Sequence, residues 1–81
     1  MESSNLQGLV SFMAESLVDN VESVSVHEVD GEHGAVLELK VDSGDLGKVI
    51  GKQGRTARAM RTILSAASSK LQKRSTLEIV E

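Results

Sequence analysis

Residues 49–55 read Val-Ile-Gly-Lys-Gln-Gly-Arg and separate two segments that have the apolar spacing of helices. Gly51 and Gly54 flank Lys52 and Gln53, and a glycine has no side chain to keep another backbone away from the turn. The N–H groups that open the following helix have no partner within that helix, so they are available to an anion. The stretch therefore predicts a positively charged turn that suits the sugar–phosphate backbone of a nucleic acid.

The charge distribution agrees with this interpretation, although the formal net charge of the 81 residues is −3. Residues 1–43 carry nine acids and one base, whereas residues 44–74 carry eight bases and one acid. Five of these bases lie within residues 48–61, around the glycine turn. We therefore expect one basic surface on an acidic body rather than two solvated faces that merely balance each other.

Composition predicts a small cytoplasmic domain that is held together by packing. Leu, Ile, Val and Phe make up 23 of the 81 residues, which is above the level of a disordered chain. There is no cysteine, so disulfides and thiolate metal sites are excluded. No apolar run approaches the roughly 18 residues of a membrane span, and the N-terminus lacks the pattern of a secretory signal.

Hydrophobic periodicity predicts the element order αββααβ. Residues 35–41 alternate as a half-buried strand does, and the segments on both sides of the glycine turn have helical spacing. We expect an α+β fold in which three helices pack on one face of a three-stranded mixed sheet. The predicted bounds, within one domain of residues 1–81, are helix 5–19, strands 22–29 and 35–41, helix 44–50, turn 51–54, helix 55–72 and strand 76–80.

Three expectations concern packing. Phe12, the one aromatic residue, is expected to help cover the core. The period slips at Val29, so the first strand is expected to end or bulge there. The long helix is expected to bury a stripe made of Ala57, Met60, Leu64, Ala67 and Leu71.

Other chemistries find little support. A Walker loop needs four residues between its first glycine and Gly-Lys-Ser/Thr, but Gly47 and Gly51 enclose only three, and Gln53 replaces the hydroxyl residue. His27 and His33 have no second ligand at metal spacing, and no grouping of Ser, His and carboxylate suggests a nucleophile. We expect no enzyme activity, no metal and no cofactor.

Arg55 and Arg58 are informative because they lie in the first turn of the long helix. A cation there opposes the helix dipole by about 0.3–1 kcal/mol, which makes most sense if an external anion shares the space. The alternative is that both simply pair with acids from the first half of the chain. With one Phe and no Tyr or Trp, the chain has no aromatic stacking platform for bases.

The glycine turn between two helices, after an αββ opening, resembles the GXXG signature of KH domains, and the element order resembles their type II arrangement. The combination of Leu17-Val18-Asp19-Asn20, residues 47–55 and Leu77-Glu78-Ile79-Val80 is similar to the small bacterial single-KH proteins of the KhpA/YlqC family. The resemblance covers nearly the whole chain. One departure is Val21, where that family commonly has proline.

The resemblance implies that the turn contacts the backbone of about four single-stranded nucleotides. It also implies a groove between the short helix, the long helix and an edge of the sheet. Leu46, Val49 and Ile50 lie along one wall, although some of them must belong to the core, and the strand Ala35–Val41 supplies part of the other wall. The expected RNA-binding residues are Lys48, Val49, Ile50, Gly51, Lys52, Gln53, Gly54, Arg55 and Arg58.

The family resemblance further implies a cytoplasmic RNA chaperone or post-transcriptional regulator linked to cell-wall growth and cell shape. Such proteins pair with themselves or with a larger KH-containing partner. Two alternatives stay open from the sequence. One is a dimerisation module in which RNA contact is secondary. The other is a helix–turn–helix reader of duplex DNA, disfavoured because the helix after the turn offers few base-reading side chains beyond Arg55 and Arg58.

Overall fold

The computed structural model describes residues 5–80, and its element order confirms the predicted αββααβ fold. Single turns of 3₁₀-helix occupy Val21–Ser23, Ser43–Asp45 and Lys52–Gly54. The helices and strands are α1 (Asn5–Glu15), β1 (Ser25–Gly31), β2 (Gly34–Lys40), α2 (Leu46–Ile50), α3 (Arg55–Lys70) and β3 (Ser75–Val80).

The sheet has the strand order β1-β2-β3 and is mixed, as expected. β1 pairs antiparallel with β2 through a two-residue turn, Glu32-His33, and β2 pairs parallel with β3. β2 is therefore the central strand, and the edge beside α3 belongs to β3. A parallel pair needs a long crossover connection, and here α2, the glycine turn and α3 form that connection.

The core lies between the sheet and the helices. The alternation in β2 buries Ala35, Leu37 and Leu39, as predicted from the sequence. α1 contributes Leu6, Val10 and Ala14, which recur every fourth residue and face the sheet. Burying each Val or Leu side chain contributes about 1.5–3 kcal/mol to folding. The largest fully buried side chains are Leu6, Leu37, Leu39, Leu64, Val10 and Val49.

α1 is shorter than predicted, and one of its apolar residues lies on a different side. The helix ends at Glu15 instead of residue 19. Just after Glu15, the Ser16 hydroxyl donates to the Phe12 carbonyl at 2.8 Å, and the Leu17 N–H donates to the Ala14 carbonyl at 3.0 Å in a tighter turn. Because the fourfold spacing places Phe12 on the outer side, 68% of this residue is exposed. The expectation that Phe12 covers the core is wrong.

The ends of β1 and α3 also differ from expectation. β1 begins at Ser25, after a 3₁₀ turn, and continues without a bulge to Gly31, so the expected break at Val29 is wrong. α3 ends at Lys70, and Leu71 is 48% exposed instead of closing the buried stripe. The helix stops there because Gln72 adopts a left-handed conformation with φ 56°. Among residues 5–80, no helix has the length and apolar character needed to span a membrane.

Candidate nucleic-acid interface

The glycine turn has a backbone shape that two glycines and one strained residue make possible. Gly51 ends α2 with φ 78°, and its N–H donates to Gly47 at 2.8 Å. Gln53 and Gly54 are both left-handed, with φ 57° and 73°, and the Gly54 N–H closes the turn onto Gly51 at 3.1 Å. The chain thereby reverses between α2 and α3 within three residues.

The two glycines serve different purposes. A Cβ atom on Gly51 would overlap the side chain of Thr56, so glycine is needed there by the packing of the turn against α3. A Cβ atom on Gly54 would meet nothing within 4 Å. Gly54 therefore adopts the left-handed conformation without strain and leaves an open surface in front of the first turn of α3.

The side chains at the tip of the turn are exposed. Lys52 and Gln53 point into solvent, and no side chain caps the start of α3 because Gly54 occupies the N-cap position. Within residues 5–80, Lys52 forms no ion pair. The Arg55 N–H donates to the Lys52 carbonyl, and the N–H groups that follow it have no side-chain cap, so they are presented together with a charge and an amide on one open surface.

Arg55 and Arg58 lie three residues apart at the start of α3, and both are exposed. In the part of the chain that the structure describes, neither arginine forms an ion pair. The alternative that they simply pair with acids of the first half therefore has no support in this region. Their unfavourable position at the helix N-terminus is left without compensation inside the fold.

Lys48 differs from the other bases around the turn because it is engaged within the protein. Its ammonium lies 3.2 Å from Asp19 and 3.4 Å from Asp45. The hydrogen bond to Asp19 is the main cause that raises the pKa of Lys48, and the hydrogen bond to Asp45 is the second. Asp45 is buried and accepts the backbone N–H of Asn20 at 3.0 Å, which is the main cause of its lowered pKa. In this structure Lys48 holds α2 against the segment after α1.

The apolar residues before the turn also divide into two groups. Val49 is 0% exposed and belongs to the core, so the expected contact of its side chain with a ligand is corrected. Leu46 and Ile50 are half-buried and pack at the margin of the core. These two side chains are the ones that offer an apolar surface beside the turn.

The strand Ala35–Val41, which is expected to supply part of one wall of the groove, is the central strand of the sheet because β2 is paired on both sides. The edge of the sheet beside α3 is a different strand. β3 forms that edge, and Arg61 Nε donates to the Leu77 carbonyl across the seam at 3.4 Å. Arg61, one of the five bases of residues 48–61, was not predicted as an RNA-binding residue, and the structure places it beside this edge.

A second surface lies between α1 and α3, on the other flank of α3. It is an apolar groove of about 280 Å³ in which the exposed Phe12 stands beside Ile63, 49% exposed. Its remaining lining residues are Met13, Ser16, Leu17, Thr56, Ala59 and Met60. Across residues 5–80, no cluster of three His, Asp or Glu side chains is placed to hold a metal ion.

Comparison with known proteins gives consistent matches. A family model described as KhpA/KhpB, KH domain, matches residues 7–79. The RNA-binding protein KhpA of Aquifex aeolicus is 55% identical over 96% of this chain and 99% of its own length. Proteins of the same name from Clostridium perfringens and Borreliella burgdorferi are 52% and 44% identical, over 93% and 90% of this chain and 100% and 89% of their own lengths. These names state RNA binding and no reaction.

Proposed function

The chain belongs to the KhpA/KhpB family of KH domains, and from this premise we propose that it binds single-stranded RNA through residues 51–54 without catalysing a reaction. The observation that carries the proposal is the open surface at Gly54, where an added side chain would meet no protein atom within 4 Å. An RNA backbone fits this space because the protein's own packing leaves it empty. The left-handed backbone and the exposed Lys52 border the same space.

Each residue of the turn has a distinct role in this clamp. Gly54 admits the sugar–phosphate backbone, the N–H groups at the start of α3 donate to phosphate oxygens, and Lys52 supplies a mobile positive charge. Gln53 adds an amide that both donates and accepts. Arg55 and Arg58 add charge along α3. Contacts of this kind position a strand and carry no sequence information, so we expect weak sequence preference.

Base contacts in this proposal are apolar. The chain has no Tyr or Trp, and Phe12 lies in the groove between α1 and α3. Bases held at the turn therefore rest on aliphatic side chains, for which the half-buried Leu46 and Ile50 are placed. Lys48 and Val49 act from behind this surface, Lys48 by holding α2 in place and Val49 by anchoring it in the core.

The test is a salt-dependent binding series with a short single-stranded RNA, the DNA of the same sequence and duplex DNA. We expect single strands to bind more tightly than the duplex, with an affinity that falls as salt increases. The double variant Lys52→Asp with Gln53→Asp should lose binding and keep the wild-type circular dichroism spectrum. Lys70→Asp is the control for charge reversal, because Lys70 is exposed at the far end of α3. Wild-type affinity in the double variant contradicts the clamp, and tighter binding of duplex DNA favours the helix–turn–helix alternative.

The physiological role that the family resemblance implies is part of the same proposal. We expect a cytoplasmic RNA chaperone or post-transcriptional regulator linked to cell-wall growth and cell shape. A chaperone of this kind accelerates the annealing of complementary RNA strands at catalytic amounts. Equal annealing rates with wild type and with the Lys52→Asp/Gln53→Asp variant contradict a chaperone role that depends on the turn.

Dimerisation is a second candidate function, and the apolar groove between α1 and α3 favours it. We propose a second copy as the occupant because α1 contains no base and α3 contains no acid. A two-fold pairing that sets α1 of one copy on α3 of the other therefore joins unlike charges around the groove. Two linked turns also bind one RNA more tightly than a single turn does.

Light scattering at several concentrations tests this pairing. Phe12→Ser should shift the protein to monomers, whereas Val29→Ser, which removes an exposed apolar side chain from β1, should not. A wild type that stays monomeric at high concentration contradicts the dimer. If the larger KH-containing partner implied by the resemblance then binds the wild type and fails to bind Phe12→Ser, the groove serves a heterodimer instead.

A further inference from the structure

A polar cavity of about 250 Å³ lies at the end of α3 opposite the glycine turn. Ser68 and Ser75 form its wall and have structural partners, because Ser68 is buried, donates its hydroxyl to Leu64 at 2.8 Å and contacts the Ser75 hydroxyl. Ser65 and Ser69 also line the cavity, and both residues are exposed. Lys73 and Arg74 complete the lining.

Arg74 supplies the cation that this cavity offers to a ligand. Lys73 is engaged by Glu28 at 3.0 Å, whereas Arg74 is exposed and forms no ion pair within the described residues 5–80. The backbone of Arg74 is fixed, since its carbonyl accepts the Ala35 N–H at 2.9 Å and a Cβ atom on Gly34 would overlap it. Arg74 lines this cavity together with the serines, and guanidinium and hydroxyl donors suit a phosphate.

Two features of this end of α3 would repel an anion, the helix carbonyls and nearby acids, and both have a reduced effect at the cavity. The last carbonyls of a helix carry partial negative charge, but here Leu71 N–H donates to Ala67, Gln72 N–H to Ser69 and Lys73 N–H to Ser68, at 3.1, 3.0 and 2.9 Å. Two acids lie close to this region: Glu28, which pairs with Lys73 at 3.0 Å, and Glu32, which borders a neighbouring open cavity that Arg74 also lines. Neither of them lines the serine cavity itself.

A continuous polar path joins the turn to this cavity. α3 lies beside β3, with Arg61 opposite Leu77 and Ser68 opposite Ser75. The exposed face of α3 next to this seam carries no large apolar residue between the turn and the cavity. We call it the polar flank, and its residues are Arg55, Arg58, Thr62, Ser65 and Ser69. The last of these residues lies fourteen positions after the first, which corresponds to about 21 Å along the helix.

We propose that a single strand held at the glycine turn continues along the polar flank of α3 and places a further phosphate in the cavity of Ser65, Ser69 and Arg74. The inference rests on the proposed function and extends it, because the four nucleotides at the turn are then only part of the bound segment. Arg61, already anchored to the strand edge, borders this path and has further N–H donors available to the strand.

The test compares a tetranucleotide with a decanucleotide of the same base composition, on wild type and on two variants of equal charge change. Arg74→Gln removes the cavity cation, and Lys70→Gln is the matched control because Lys70 lines neither cavity at this end. We expect Arg74→Gln to weaken decanucleotide binding about fivefold near 0.1 M salt and to make its salt slope shallower by about 0.7, as for one lost phosphate contact. Tetranucleotide binding should stay unchanged, and so should both affinities of Lys70→Gln.

A second variant, Ser69→Glu, places a carboxylate at the mouth of the cavity and should also weaken the decanucleotide selectively. Equal decanucleotide affinity in Arg74→Gln and wild type overturns the inference while leaving the turn as a site. Equal losses for both oligonucleotides overturn it as well. If wild type binds neither oligonucleotide, the proposed function itself fails. Inorganic phosphate that shifts the NMR signals around Arg74, together with an unchanged decanucleotide affinity in Arg74→Gln, identifies a free-anion site and overturns the RNA path.

Discussion

The backbone N–H of Asn20 donates to the carboxylate of Asp45 at 3.0 Å and joins the segment after α1 to the start of α2. Asp45 is 4% exposed, and its other carboxylate oxygen lies 3.4 Å from the ammonium of Lys48. The position of α2, and with it the entry into the glycine turn, therefore depends on a contact between segments that are 25 residues apart in the sequence.

Asp45→Asn should make the protein less stable at neutral pH and less sensitive to acid. The hydrogen bond from Asn20 lowers the pKa of Asp45 from its usual 3.8. A lowered pKa contributes stability that is present above about pH 4 and is lost as the pH falls through the folded-state pKa. Thermal unfolding of both proteins across the acid range checks this. The difference in Tm should be several degrees at neutral pH and should shrink towards pH 2, whereas a constant difference contradicts the linkage.

Lys48→Gln and Lys52→Gln should affect different properties, although the two residues are only four positions apart. Lys48 is bound to Asp19 and Asp45, so its loss should lower Tm and leave the salt dependence of RNA binding nearly unchanged. Lys52 is exposed, so its loss should leave Tm unchanged and make the salt slope shallower by about 0.7. A shallower slope in Lys48→Gln would show that the lysine leaves its carboxylates to bind RNA.

This division between the two lysines shows what the sequence was able to predict. The glycine spacing and the surplus of bases located the turn, because both are local properties of residues 48–61. The partners of Lys48 were not predictable, since Asp19 and Asp45 come together only when α1 and α2 pack. Val49 was misplaced for a related reason, because its apolar side chain suits a core and a ligand surface equally well.

The strands and helices also show that a local sequence pattern does not predict contacts that arise only on packing. The alternation of apolar residues in β2 determines which face of the strand is buried, because successive side chains point to opposite faces of the sheet. In α1, the spacing of the apolar residues did not decide whether Phe12 faces the core. Packing selected Leu6, Val10 and Ala14, so Phe12 was left on the surface.

The glycines of the turn should respond differently to substitution. Gly51→Ala should destabilise the fold by about 2–4 kcal/mol, because a Cβ atom there overlaps Thr56 and the backbone is left-handed. Gly54→Asn should lower stability by about 1 kcal/mol or less, since asparagine tolerates the left-handed region and the added atoms meet open space.

Gly54→Asn, the milder of the two changes for stability, should be the one that directly reduces RNA affinity. The asparagine side chain of Gly54→Asn fills the space that we assign to the RNA backbone, so binding should fall at least tenfold in a protein that remains folded, a loss of about 1.4 kcal/mol. Urea unfolding and fluorescence anisotropy on the same samples give both quantities. Full RNA affinity in Gly54→Asn contradicts a close approach of the backbone at this position.

Gln72→Gly should stabilise the protein without changing RNA binding. Gln72 follows the end of α3 with φ 56°, and the N–H of the next residue, Lys73, donates to Ser68 at 2.9 Å. This is the position at which helices most often end with glycine, because a side chain is unfavourable in the left-handed region. Relief of that strain exceeds the added flexibility of the unfolded chain, so we expect a gain of about 0.5–1 kcal/mol in the free energy of unfolding. Gln7→Gly is the contrasting control, since it puts glycine inside α1 and should destabilise. A loss of stability in Gln72→Gly would mean that the glutamine side chain contributes contacts worth more than the backbone strain it imposes.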